Sequence, residues 1–487
     1  MKKLSIDPIT RLEGHGKIDI FLNDEGEVAN CYFLVPELRG FEKFCEGRPV
    51  EELPRILTRI CGVCPEAHHM ASAKACDAVY HVEIPRAGRL LRELIYAAFC
   101  VADHTVHFYA LGGPDFVVGP DAPPAERNVL GLIRKVGLEA GKKVIRTRSM
   151  VHEIIDTVGG KAIHPVSSIP GGITTHLTEE QRSKFIEYAK EMVEFGKFSI
   201  KVVDDIVLAN KAYVDLILSD TYAHKTHSMG IVDENNHVNF YDGKIRVVDT
   251  KGKEIHKFDA RDYKDVLAEH VEPWTYLKFP YIKSIGWKGF IDGQDSGVYK
   301  ATPLSRLNAG DGMATPLAQA EYERFYETLG GKPVHATLAT HWARVIELLY
   351  AAEWTLNTLQ DPEITSTETR VIPTETPDEG IGVVEAPRGT LYHHYITNDK
   401  GIVQKVNLIV GTTNNHAAIS MSIKKAAHGL IKKGTEITDA TLNMIEMAFR
   451  AYDPCFACAT HSLPGQMPLE LRIRSPQGEI IDRVKRL

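Results

Sequence analysis

Two Cys-x-x-Cys pairs stand almost at opposite ends of the chain, Cys61–Cys64 in RICGVCPEAHH and Cys455–Cys458 in DPCFACATH. Four thiolates drawn from segments so far apart imply one metal site on which both halves of the fold converge. Whatever lies between must bring the C-terminal region back to the neighbourhood of the first pair. Close thiolates take soft or borderline metals, so a four-sulfur set suits zinc, an iron–sulfur cluster or nickel. The other cysteines, Cys31, Cys45, Cys76 and Cys100, are scattered singly. They read as buried thiols acting as small hydrophobes.

The chain has 487 residues, 44% hydrophobic and 25% charged, which suits a large globular body. A formal charge of −7 gives no footprint for nucleic acid or an anionic membrane. No run reads as the roughly 18 apolar residues of a membrane span. The start, MKKLSIDPITRLEGHG, lacks the apolar stretch of a signal peptide. A cytoplasmic protein is expected. A secreted disulfide protein would be shorter and denser in cysteine.

Periodicity predicts a mainly α fold with β-hairpins, of α+β class. Residues 17–35 alternate around an Asp-Glu-Gly turn and predict a hairpin. Helical spacing follows the first cysteine pair through 68–79 and 87–111, with a further helix near 123–142. A long helix is predicted over 178–218, capped by Thr178 with Gln181 behind it. Residues 230–300 predict a smaller β-containing excursion. Helices return at 315–330 and 335–360, a hairpin at 370–410, and helices at 415–433 and 438–451. One body over 1–461 is expected, with 462–487 a tail whose alternating residues 469–474 predict a hairpin.

Several polar residues lie near the pairs. His68 stands four residues past Cys64, and His461 three past Cys458. Asp103, His104 and His107 cluster on one predicted helix, Asp103 and His107 at i, i+4 on one face. Glu13, Glu42 and Arg388 taken singly read as ordinary surface charges.

Together, DPITRLEGHG, RGFE, RICGVCPEAH, DHTVHFY, APRG and DPCFACATH run in order from residue 7 to residue 461. This series resembles the large, catalytic subunit of nickel–iron hydrogenases over nearly the whole chain. The length and the YKATPLSRLN stretch are most similar to the soluble, cytoplasmic, multisubunit group. The resemblance implies reversible heterolytic cleavage of H2 at a nickel held by four thiolates. Cys61 and Cys455 would be terminal ligands; Cys64 and Cys458 would bridge to an iron carrying carbon monoxide and cyanide. Glu13 would relay protons near Cys455. Arg388 would stand over the open position, held by Asp103 and Asp453. Thr412 would hydrogen-bond a cyanide, and His68 would lie beside the bridging sulfur of Cys64. Glu42, the carbonyl of Leu408 and His461 would hold a magnesium-type metal, Mg2+ or Fe2+.

The chain departs from many relatives at VGTTNN, which lacks a proline before the hydroxyl residue and a tryptophan after it. With four thiols assigned to nickel and four isolated, no iron–sulfur cluster is expected in this chain. Electrons would pass first to an iron–sulfur small subunit, then to further flavin or iron–sulfur subunits. The family resemblance also implies a maturation endopeptidase that cuts after His461.

Overall fold

The computed structural model describes residues 2–35, 37, 40–459, 469–474 and 480–486. Helices dominate, with small sheets set around them, in agreement with the predicted mainly α class. Three helices form the central stack: Arg86–Val106, Glu179–Val202 and Thr340–Gln360. From Thr340 to Glu353 every residue of the last is buried, because neighbouring elements cover the helix on all sides. The first continues through a π-helical turn, His107–Gly112, into Pro114–Val117. This continuous stretch is long and apolar enough to cross a membrane, more so than the sequence reading allowed, yet 83% of its apolar window is buried within the protein. It is a core helix.

Two predicted helices are broken by local chemistry. The one expected near 123–142 begins at Val129, where the Asn128 side chain accepts from the amides of Leu130 and Gly131. It stops at Gly137, whose φ of 93° no helix permits, and a second helix, Leu138–Gly159, follows. The one expected over 178–218 starts at the predicted Thr178–Gln181 capping box. It slackens into a π-helix at Val203–Leu208, then restarts as Lys211–Ile217 behind the Asn210 cap.

The sheets are antiparallel in the main. Lys2–Ile6 adds a strand to the predicted hairpin of Lys17–Leu22 and Val28–Leu34. Its buried face shares a core with the helices His416–Leu430 and Asp439–Arg450. The excursion at 230–300 forms most of a six-stranded sheet, in which Tyr299–Lys300 runs parallel to His227–Val232. The hairpin expected at 370–410 is three-stranded: Glu379–Ala386, Gly389–Thr397 and Val403–Ile409. Its first strand lies directly on the helix Pro65–Val79. A Cβ at Gly382 would come within 2.0 Å of the Ala71 carbonyl oxygen, so only glycine permits that approach. The tail strands Leu469–Arg474 and Ile480–Arg486 pair antiparallel, as predicted. The largest core runs from Cys45 to Cys458 in sequence and contains both cysteine pairs.

Candidate metal centre

Cys61 leaves the short 3-10 turn Leu57–Ile60, and Cys64 is the residue before Pro65 opens the helix Pro65–Val79. The intervening loop folds back so that the amides of Val63 and Cys64 both point at the Cys61 sulfur, each 3.2 Å away. Two N–H donors at a helix N-terminus favour a thiolate. Cys455 arrives through a β-bridge with Glu13, closed by the amide of Phe456 donating to the Glu13 carbonyl at 3.1 Å. Its own amide donates to Thr412 Oγ1 at 3.0 Å.

The four sulfurs meet. Cys61 Sγ lies 3.3 Å from Cys455 Sγ, Cys64 Sγ 3.5 Å from Cys458 Sγ, and Cys455 Sγ 2.9 Å from Cys458 Sγ. All four lie within 4.8 Å of one another and are buried. None is disulfide-bonded. One ion bound tetrahedrally at about 2.3 Å would set its sulfurs about 3.8 Å apart, so this quartet fits a single thiolate-loving metal. Burial and the neighbouring sulfurs push the thiols of Cys455 and Cys458 well up. Burial acts the same way on Cys61, but hydrogen bonds from the other three thiols hold it well below the usual thiol range. The quartet thus keeps most of its protons until a metal displaces them.

Glu13 is the carboxylate at this centre. Its Oε2 accepts from Cys455 Sγ at 2.9 Å and from the Ala457 amide at 3.1 Å. Burial raises its pKa, partly offset by the Cys455 hydrogen bond. Arg388 is fully enclosed, with Nη1 2.9 Å from Asp103 Oδ2 and Nη2 3.0 Å from Asp453 Oδ2. Burial alone would weaken its charge; Asp103 and Asp453 overcome that and hold it well above the usual value. Asp453 itself has φ of 54°, the left-handed region a non-glycine residue rarely occupies, as the chain turns toward Cys455.

Glu42 and Leu408 also meet, the Leu408 amide donating to Glu42 Oε1 at 2.9 Å. Residue 461, the third member expected there, lies outside the described residues. His68 Nδ1 lies 3.1 Å from His393 Nε2. His104 and His107 turn away from the quartet. His104 Nε2 is 3.2 Å from Glu347, and His107 bonds the Arg450 carbonyl at 2.8 Å while stacking on His341. Among the described residues, the metal-binding group contains only the four cysteines.

Sequence reading missed the residues that hold Arg388 in place from behind. Arg306 is fully buried, pairs with both oxygens of Glu347 at 2.6 Å, and donates to the carbonyls of Ala386 and Pro387 at 3.0 Å. It thereby clamps the turn immediately before Arg388. Gly389, at φ 148°, completes that turn; a Cβ there would stand 2.3 Å from the Gly411 carbonyl oxygen.

Known proteins share this outline. The profile of the nickel-dependent hydrogenase family matches residues 39–128 and 142–461, and a HoxL-like profile matches residues 3–38. The chain is 48% identical over 485 residues to an F420-non-reducing hydrogenase iron-sulfur subunit of Archaeoglobus profundus, covering 100% of both. It is 37% identical to the beta subunit of the NAD-reducing hydrogenase HoxS of Cupriavidus necator, over 99% of each. A crystal structure of an NAD+-reducing [NiFe]-hydrogenase in the H2-reduced state superposes with a TM-score of 0.88 at 36% identity, covering 95% of this chain and 100% of that one. The chain belongs to the nickel-dependent hydrogenase family.

Proposed function

We propose that this chain is the catalytic subunit of a nickel–iron hydrogenase, cleaving H2 heterolytically and reversibly into two protons and two electrons. The observation that carries the reading is the meeting of Cys61 with Cys455, 394 residues apart, with the Glu13 carboxyl 2.9 Å from the latter's sulfur. When bound, a nickel–iron centre with carbon monoxide and cyanide on its iron supplies the Lewis acidity and electron acceptance that H2 cleavage requires. Cys61, Cys64, Cys455 and Cys458 would hold it through their sulfurs.

The protein's own groups handle the proton. Cys455 Sγ receives it and Glu13 Oε2 takes it onward, with a pKa raised by burial toward the range where exchange is easy. Arg388 stays charged and orients the open side of the centre, fixed by Asp103 and Asp453. Thr412 keeps its hydroxyl hydrogen available for a cyanide, since its oxygen accepts from the Cys455 amide. Glu42 and the Leu408 carbonyl, with His461, would supply two oxygens and an imidazole nitrogen to an Mg2+ or Fe2+ ion.

Electrons leave to an iron–sulfur small subunit, then to flavin or iron–sulfur subunits in the cytoplasm. After nickel loading, a maturation endopeptidase removes the tail beyond His461.

Metal analysis and infrared spectroscopy of the native complex test the reading, alongside Cys455→Ser. Nickel and iron with sharp carbonyl–cyanide bands are expected, and the variant should have no H2 activity. Zinc alone, or wild-type turnover in Cys455→Ser, would overturn the assignment.

A further inference from the structure

Arg306 and Arg388 each have carboxylates in direct contact. Arg306 grips both oxygens of Glu347, and Arg388 reaches Asp103 and Asp453. A third buried arginine, Arg344, is held differently. It stands near the start of the helix Thr340–Gln360, three residues before Glu347, and is wholly shielded from solvent. Its Nη2 donates to the Ala451 carbonyl at 3.1 Å, while Nε and Nη1 have no hydrogen-bond partner among the described residues. A charge sealed from water with so few bonds is costly, so the groups it faces decide its purpose.

Ala451 follows the helix Asp439–Arg450, and the chain then turns into Asp453, whose φ of 54° lies in the left-handed region. The amides of Tyr452 and Asp453 close this turn on the carbonyls of Phe449 and Arg450, at 3.0 and 2.9 Å. By fixing the Ala451 carbonyl, Arg344 ties the turn to the central helix.

Arg344 also supplies charge to it. Burial pulls Arg344 down to about 10, and the strongest opposing pull comes from Asp453, with Glu347 second. Burial pushes Asp453 up, and Arg388 first and Arg344 second draw it back. Glu347 is covered without Arg344, by Arg306 on both oxygens and by His104 at 3.2 Å. Asp453, by contrast, shares Arg388 with Asp103. The carboxylate that needs Arg344 is therefore Asp453.

We propose that Arg344 is a positioning residue for H2 cleavage: it fixes the turn that presents Asp453 to Arg388, and so sets where the Arg388 guanidinium stands at the metal centre. The inference rests on the assignment of the quartet to nickel and iron, with Arg388 at its open side.

Arg344→Met tests this in the native complex and in the metal-free chain. Nickel content should be unchanged and H2 turnover should fall about tenfold, the weight of one hydrogen bond to a charged group. In metal-free protein, amide exchange at residues 451–454 should quicken by at least about tenfold as the turn loosens. Arg344→Lys keeps the charge and one donor, which suffices for a single bond to a carbonyl, and should restore most of both properties. Paired with Asp453→Asn, Arg344→Met should cost clearly less than the product of the two separate losses, because both act through one carboxylate. Should Arg344→Met not fold, Arg344→Gln takes its place; should it fold but not load nickel, exchange in the metal-free chain and turnover of Arg344→Lys carry the test. Unchanged exchange at 451–454, losses that multiply with Asp453→Asn, or a lysine variant no better than methionine would overturn the proposal. A wild-type complex without nickel would instead overturn the reading of the quartet itself.

Discussion

At the scale of single residues, the metal centre joins groups whose ordinary chemistry would keep them apart. Four thiols crowd within 4.8 Å, and a carboxyl is buried against one of them. Glu13→Gln separates the carboxyl's two tasks. The amide can still accept from the Ala457 N–H but cannot carry a proton. Nickel should remain bound, while turnover falls by at least about a hundredfold, the usual worth of a general acid–base group. Metal content measured beside H2 oxidation checks this; normal turnover would move the relay elsewhere. The meeting of the cysteines with Glu13, and of Arg388 with Asp103 and Asp453, was legible from motif order, because each of these residues stands in one of the ordered motifs. Arg306 and His393 were not. Their importance comes from partners more than 40 and 300 residues away, Glu347 and His68, and no local spacing reports such a pairing. His104 and His107, which cluster with Asp103 in sequence, pair instead with Glu347 and the Arg450 carbonyl.

At the scale of elements, the approach of the N-terminal loop to Cys455 depends on an ion network. Arg11 pairs with Asp115, and Arg450 reaches Asp115, Glu446 and Thr10. The Thr10 amide closes the loop onto Glu446 at 2.9 Å. Burial would raise Asp115, but Arg450 and Arg11 outweigh it and hold the carboxyl below its usual value. The folded state therefore binds fewer protons than the unfolded one as pH falls through the carboxylate range. The stabilisation is complete at neutral pH, above the unfolded value of about 4, and is lost on acidification through the folded value. Asp115→Asn leaves two buried guanidinium groups undercompensated and should cost about 3 kcal/mol at pH 7. Chemical denaturation at stepped pH should show the gap to wild type closing toward acid; a gap constant with pH would assign the loss to packing. None of this network was legible beforehand. Helix existence was, since apolar spacing reports burial, but the breaks at Gly137 and Asn210 depend on backbone conformation and capping that periodicity averages over.

At the scale of the whole molecule, the metal closes a loop on the fold. The first cysteine pair is built into the large core, between a 3-10 turn and a largely buried helix. The second sits at a four-residue helix, Phe456–Ala459, tied down by the Glu13 bridge and the Thr412 hydroxyl. Without metal, the quartet gains nothing from convergence: either the sulfurs retain protons and make weak thiol contacts, or they ionise and repel. With metal, each thiolate is paired, and binding energy becomes energy of closure. The two sides of the site should respond unequally. Amide exchange at residues 12–15 and 454–459 should slow by at least about a hundredfold on loading, since opening there would first break metal–sulfur bonds. Exchange along the helix Pro65–Val79 should hardly change, because its burial does not depend on the ion. Hydrogen-exchange mass spectrometry of metal-free and loaded full-length protein measures both at once. Equal protection of 454–459 in the two forms would mean that the C-terminal pair is preformed and that the metal enters a finished site.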